Sequence, residues 1–230
     1  MELSSDGKAA YALHNMSKLL KVEITGKVTE VPTPTQHFFR CAYSSALDLL
    51  VMGNKQHVEF VKPGDKALNK KLELPVTGKT TAFGADLPFE VAGLVFSQDG
   101  KTLAVSMQGK TYFDKEKNKD LFDRVEFWDT KEWKPRSRIP KNDSTEFFAY
   151  TALTMVISPD GKYLAGWSEE NKNLLQVWDT AKQEPVYTKE YAWIRCLTFT
   201  PDSKTLIVAP GREAVQFIEF LGKGAKSPQK

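Results

Sequence analysis

Four oxygen-bearing side chains at alternate positions, Asp114, Glu116, Asn118 and Asp120, come nearest to metal chemistry in this 230-residue chain. Hard carboxylate and amide oxygens at every second residue are what the first half of a calcium loop supplies. The second half is missing. No glycine marks the sharp turn, Val125 stands where a bidentate glutamate would close the shell, and Lys115, Lys117 and Lys119 alternate with the ligands and repel a cation. The segment reads as a solvated charged hairpin, and no metal is expected. His14, His37 and His57, the only histidines, lie in separate segments and form no ligand set. The chain has no Gly-x-Ser-x-Gly elbow, His-Glu-x-x-His pair, phosphate-cradling glycine loop or Cys-x-x-Cys. No catalytic residue and no cofactor is therefore expected.

Two arginines stand in matching settings, Phe39-Arg40-Cys41-Ala42 and Ile194-Arg195-Cys196-Leu197. If both begin equivalent innermost strands, they give a central channel an anion-attracting mouth. The two cysteines on those strands lie in separate units, where the close Cα spacing of a disulfide is not met, so two reduced, buried thiols are expected.

These residues sit in a phrase that recurs. Ser97-Gln98-Asp99-Gly100-Lys101 leads to Val125-Glu126-Phe127-Trp128-Asp129-Thr130, and Ser158-Pro159-Asp160-Gly161-Lys162 to Leu175-Gln176-Val177-Trp178-Asp179-Thr180. Thr200-Pro201-Asp202-Ser203-Lys204 leads to Val215-Gln216-Phe217-Ile218, a weaker copy opens at Ser4-Ser5-Asp6-Gly7-Lys8, and a degenerate one at Ser44-Ser45-Ala46-Leu47. A unit returning every roughly 40 to 60 residues is the mark of a repeat architecture. Within each unit, alternating apolar runs are separated by Asp-Gly turns, in which Asp caps its own backbone and Gly accepts positive φ. Four short antiparallel strands per unit follow from that pattern.

At these residues the chain resembles the WD-repeat β-propeller family, and the resemblance covers almost the whole chain. It implies an all-β propeller of about five WD-like four-stranded blades, near residues 1–33, 34–78, 79–141, 142–190 and 191–222, with a basic flexible tail at 223–230. The first unit opens partway through an innermost strand and the last shows no fourth strand. The ring is thus expected to be truncated or incompletely closed at both ends, which would leave the terminal blades open to self-association; a five-bladed closure with one three-stranded blade is the alternative. Only the third and fourth units carry Trp-Asp, and no unit has the family's Gly-His. The family's buried His–Ser–Asp–Trp network is therefore not carried over. Trp128 and Trp178 are expected instead as structural plugs between blades, each indole N–H finding another acceptor.

Composition fits a globular all-β domain: 41% hydrophobic residues to fill a core and 27% charged to keep it in solution. A net charge of +3 without any long Lys/Arg run gives no ground for a nucleic-acid partner. No apolar run approaches the ~20 residues of a membrane span. Glu2 and an early Ser-Ser-Asp-Gly turn replace the basic and apolar regions of a secretory signal, which favours a cytoplasmic location but leaves the compartment open, since residues can precede Met1 in the whole protein.

Turns between first and second strands are short, whereas second-to-third-strand loops and blade crossings are long, and in a WD-type blade these belong to opposite faces. Long loops on a rigid scaffold are where binding is usually placed. Tyr112, Phe113, Phe122, Phe148 and Trp193 are the expected anchors on the loop-rich face, with Lys115, Lys117 and Lys119 steering an acidic partner. The function this implies is a non-catalytic scaffold for an unidentified protein or peptide. A small-ligand or glycan-binding propeller attached to a catalytic or secreted protein is the alternative.

Overall fold

A computed structural model describes residues 2–4, 7–14, 18–33, 40–53, 57–62, 65–73, 90–108, 124–141, 154–168 and 173–221. Every regular element among them is a β-strand, and no helix occurs. The strands fall into five antiparallel sheets that follow one another along the chain. The first holds β1 (Glu2–Leu3), β2 (Ala9–His14), β3 (Lys18–Glu23) and β4 (Val28–Val31); the second holds β5 (Arg40–Ser44), β6 (Leu49–Gly53), β7 (His57–Lys62) and β8 (Asp65–Glu73). The third holds β9 (Glu90–Phe96), β10 (Thr102–Gln108), β11 (Arg124–Asp129) and β12 (Lys134–Ile139); the fourth holds β13 (Met155–Ile157), β14 (Tyr163–Ser168), β15 (Leu174–Asp179) and β16 (Glu184–Glu190). The fifth has three strands, β17 (Ile194–Phe199), β18 (Leu206–Pro210) and β19 (Gln216–Ile218). Within each sheet, sequence neighbours pair. Between sheets, the first strands meet in series: β1 with β5, β5 with β9, β9 with β13 and β13 with β17.

The recurring phrase builds the same turn in the third, fourth and fifth sheets. The hydroxyls of Ser97, Ser158 and Thr200 donate to Asp99, Asp160 and Asp202 at 2.7, 2.7 and 2.6 Å. Each aspartate then accepts the amide two residues on, from Lys101, Lys162 or Lys204, at 3.0, 3.1 and 3.1 Å. The same hydroxyls accept the amides of Thr102, Tyr163 and Thr205 at 3.0, 2.9 and 3.1 Å. Gly100 (φ 70°) and Gly161 (φ 72°) take the left-handed conformation this closure requires, and Ser203 takes it at φ 62°. Ser203 keeps its side chain in use, because its Oγ accepts the Asp160 amide of the preceding turn at 3.2 Å.

Trp-Asp-Thr is a second local device. Asp129 accepts the amides of Lys131 and Glu132 at 2.8 and 2.9 Å, and Asp179 those of Ala181 and Lys182 at 3.0 and 2.9 Å, which sets the turn into the fourth strand. Arg136 closes an ion pair on Asp129. The threonine reaches back to the first turn: Thr130 Oγ1 donates to the Gly100 carbonyl at 2.6 Å and Thr180 Oγ1 to that of Gly161 at 3.0 Å. The strand between these two turns is thus pinned at one end by its own sequence.

Trp128 is buried in a cluster that joins the second and third sheets, and Trp178 in one that joins the third and fourth. The expectation that Trp128 would find another acceptor for its indole N–H is corrected: among the described residues it has none, since the ring lies among Val, Leu, Met and Phe side chains. The thiols also differ from expectation in burial. Both are free, but Cys41 is half-buried and Cys196 is exposed: register turns Cys41 toward the first sheet beside Met52, whereas Cys196 lies on the face of β17 that carries Thr198, which no other described sheet covers.

Truncating either tryptophan removes a large ring from a packed interface. Trp128→Ala and Trp178→Ala are each expected to cost about 3–5 kcal/mol in urea unfolding, as large-to-small core changes do. The turn carboxylates make a different prediction. Burial opposes the charge on Asp160, but hydrogen bonds from Ser158 and Lys162 and the Lys162 charge outweigh it and hold its pKa below the usual value. The folded state therefore binds fewer protons than the unfolded one, so this stability is full above the unfolded pKa and lost as pH falls through the folded one. Asp160→Asn is expected to flatten the decline of the urea midpoint below about pH 4, the ordinary carboxylate range.

Candidate functional site

Of the residues expected to bind, Tyr112, Phe113, Lys115, Lys117, Lys119, Phe122 and Phe148 lie outside the described residues, as do His37 and the tail at 223–230. Trp193 is described, and a site can be built around it from the strands that carry it.

The support begins in the fourth sheet. Trp167, near the end of β14, is buried, and its indole N–H is shared by the carbonyls of Asn173 and Tyr191, both at 3.1 Å. The Tyr191 amide also donates to Asn173 at 2.9 Å. One ring thereby ties the entry to β15 to the crossing between β16 and β17. Nothing in the repeat phrase marked Trp167 for this role; its signal was a tryptophan at the end of a second strand, where the other units have none.

Beyond that clamp the Tyr191 hydroxyl donates to Gln216 Oε1 at 2.7 Å, and Lys189 Nζ reaches the same oxygen at 3.3 Å while lying 4.7 Å from the Tyr191 ring centroid. Gln216 Nε2 in turn donates to Glu213 at 2.9 Å. Burial, with the Glu213 charge adding to it, raises the Tyr191 pKa, and burial together with Tyr191 pushes Tyr187 up to about 12. Both phenols stay neutral donors. Strand pairing places Gln216 opposite Val208, as Glu126 is opposite Val105 and Glu59 opposite Met52. At this repeated position Glu126 pairs with Arg124 at 2.9 Å, and Glu59 lies 2.7 Å from His57 Nε2.

The end of this chain of contacts is Trp193. Its carbonyl accepts the Gly211 amide at 2.9 Å, which brings the β18–β19 turn against the crossing. A Cβ on Gly211 would lie 2.8 Å from Trp193 Cε3, so only glycine lets the indole lie over that turn. The Arg195 guanidinium sits 5.4 Å from the indole centroid, within cation–π range. With this support on one side, Trp193 still leaves 55% of its surface exposed, beside exposed Arg195, and exposed Arg212 follows Gly211 in the supporting turn. The result is a fixed aromatic platform edged by positive charge, suited to an apolar or planar group carrying an acidic neighbour.

The two arginines expected at a channel mouth are used differently. Arg40 is half-buried, and its Nε donates to the Ala92 carbonyl at 2.7 Å, joining β5 to β9; burial lowers its pKa. Arg195 lies on Trp193. An open cleft of about 730 Å³ lies between the first and second sheets, lined by Lys8, Tyr11, Lys21, Glu23 and Asp48 among others. Lys21 and Glu23 pair with each other there at 3.4 Å, and Asp48 accepts from Tyr43 at 2.5 Å. Among the described residues no three His, Cys, Asp or Glu side chains are grouped to hold a metal ion.

No protein-family model matches the chain, and no curated protein matches it. Solved structures do. One is hydrazine synthase of Kuenenia stuttgartiensis, similar at a TM-score of 0.64 and 22% identity over 95% of this chain and 61% of that one. Another is the mitotic checkpoint complex, at a TM-score of 0.61 and 16% identity over 91% of this chain and 58% of that one. The chain therefore spans less than two thirds of the length of either. Likeness at this identity establishes the fold alone, a series of antiparallel sheets of the propeller-like kind.

Trp167→Phe removes the donor shared by the Asn173 and Tyr191 carbonyls while keeping a smaller aromatic ring in its place. The Asn173 carbonyl keeps the Tyr191 amide, so the expected cost is that of leaving the buried Tyr191 acceptor unmet, roughly 1–3 kcal/mol in urea unfolding. Trp193→Ala, by contrast, should change stability by no more than about 0.5 kcal/mol, as a surface substitution. Equal losses for both would mean that Trp193 is part of the support and not its product.

Proposed function

We propose that the chain is a non-catalytic scaffold, a WD-repeat-like propeller of about five blades that docks an acidic segment of a partner protein or peptide on its loop-bearing face. The observation that carries this reading is Trp193, more than half exposed yet fixed by Gly211 beneath it and Arg195 against it. A solvent-facing tryptophan costs no ordering on binding when its support already holds it, and aromatic and arginine side chains dominate binding hot spots. Arg195 and Arg212 supply the electrostatic preference. The long segments that supply Tyr112, Phe113, Phe122 and Phe148, with Lys115, Lys117 and Lys119, belong to the same face in a WD-type blade and would extend the contact.

Selection of random peptides on the immobilised chain tests the reading. Enriched sequences are expected to combine an apolar residue with Asp or Glu. Trp193→Ala and Arg195→Glu should each lower their affinity at least tenfold with the melting temperature unchanged. Replacing residues 110–120 by a two-residue turn should weaken the same peptides without unfolding the chain. Peptides retained undiminished by Trp193→Ala would overturn the assignment of the site.

A further inference from the structure

The four interfaces between consecutive sheets follow one rule, and it leaves two faces over. In each sheet one transverse row of side chains points toward the next sheet. Ala42–Val51–Phe60 does so in the second, Val95–Ala104–Phe127 in the third and Val156–Ala165–Val177 in the fourth. Each row packs in the cluster shared with the sheet that follows. The sheet that follows presents its other face, through rows such as Phe96–Leu103–Trp128 and Ile157–Leu164–Trp178. Unlike faces meet at every interface.

Register gives the fifth sheet the same forward row, Thr198–Ile207–Phe217. It is apolar in two of its three positions, yet Phe217 is 70% exposed, and Cys196 and Thr198 beside it are exposed as well. At the other end of the series the first sheet has a backward face on which Ala10 pairs with Val22 and Ala12 with Leu20. All four are half-exposed, and Val28, opposite Val22, is exposed. Among the described residues the fifth sheet shares no packing with the first comparable to that between consecutive sheets.

We propose that the forward face of the fifth sheet binds the backward face of the first sheet of a second copy of this chain, head to tail. The occupant is chosen by the rule of the internal interfaces. A forward row takes a backward face, and the first sheet holds the one backward face among the described sheets that no other sheet covers. Two fifth sheets face to face would set like rows against each other, an arrangement used nowhere in the chain. The contact is heterologous, so it propagates into a ring or an open string of copies. It uses sheet faces and is independent of peptide docking at Trp193.

Sedimentation velocity of the full chain, from low to high micromolar protein, is expected to show a sedimentation coefficient that climbs with concentration. Phe217→Lys and Leu20→Lys each spoil one of the two faces, so each variant alone should remain monomeric. Their equimolar mixture pairs the intact first sheet of one with the intact fifth sheet of the other and should yield dimers and nothing larger. A wild-type chain that is monomeric throughout overturns the proposal. So does a Leu20→Lys variant that still associates, because fifth sheets would then be pairing with each other. Cys196 provides a readout that needs no substituted core. Its reaction with an aromatic disulfide reagent should slow as protein concentration rises, and a rate independent of concentration counts against the interface.

Discussion

The packing of unlike apolar faces between consecutive sheets is the constraint on which the rest of this structure depends. An antiparallel sheet of three or four short strands has too little surface of its own to bury, so each depends on a neighbour packed against its apolar face. The interior sheets obtain that cover from their neighbours, through clusters centred on Leu50 and Met52, on Val51 and Leu103, on Leu164 and Val125, and on Val177 and Leu206. Contacts are correspondingly close where first strands converge. A Cβ on Gly53 of β6 would lie 2.5 Å from Val91 of β9. Stability in such a series is held in neighbour-to-neighbour interfaces more than in single sheets.

The polar devices serve that packing by fixing where each strand begins. The Ser/Thr–Asp turn fixes the start of the second strand, and the Asp-Thr turn returns the third strand to it through Thr130 or Thr180. Turns of successive sheets also touch. A Cβ on Gly100 would stand 2.8 Å from Ser44 Oγ, and Ser203 bonds to Asp160. With one end of the third and fourth sheets held this way, variation is left to the opposite end. There the Trp167 clamp and the Gly211 turn carry Trp193 to the surface. The candidate site is an outcome of rigidity built elsewhere, as binding positions on scaffold loops generally are.

Much of this was legible in the order of residues. The turns could be read because their chemistry is local. The carboxylates of Asp99, Asp160 and Asp202 accept from groups within two residues of themselves, so a short phrase contains the partners that close each turn. Strand periodicity and the division into units could be read for the same reason. Trp193 was legible as an aromatic at the mouth of a strand. Its supporting cast was not: Trp167, Tyr191 and Gln216 look like ordinary core or edge residues until pairing brings them together.

What the sequence by itself determined is therefore the repeat, its turns and the alternation that makes each strand two-faced. Tertiary structure decided which face of each strand is covered and which residue it meets. Cys41 and Cys196 follow the same arginine, yet register turns Cys41 toward the first sheet, where it is half-buried, and Cys196 onto the exposed face of β17. Arg40 reaches the Ala92 carbonyl of the next sheet, whereas Arg195 turns onto its own Trp193. The physical reason is that local hydrogen bonds are completed within a few residues, while burial of a sheet face is supplied by whichever sheet comes to lie against it.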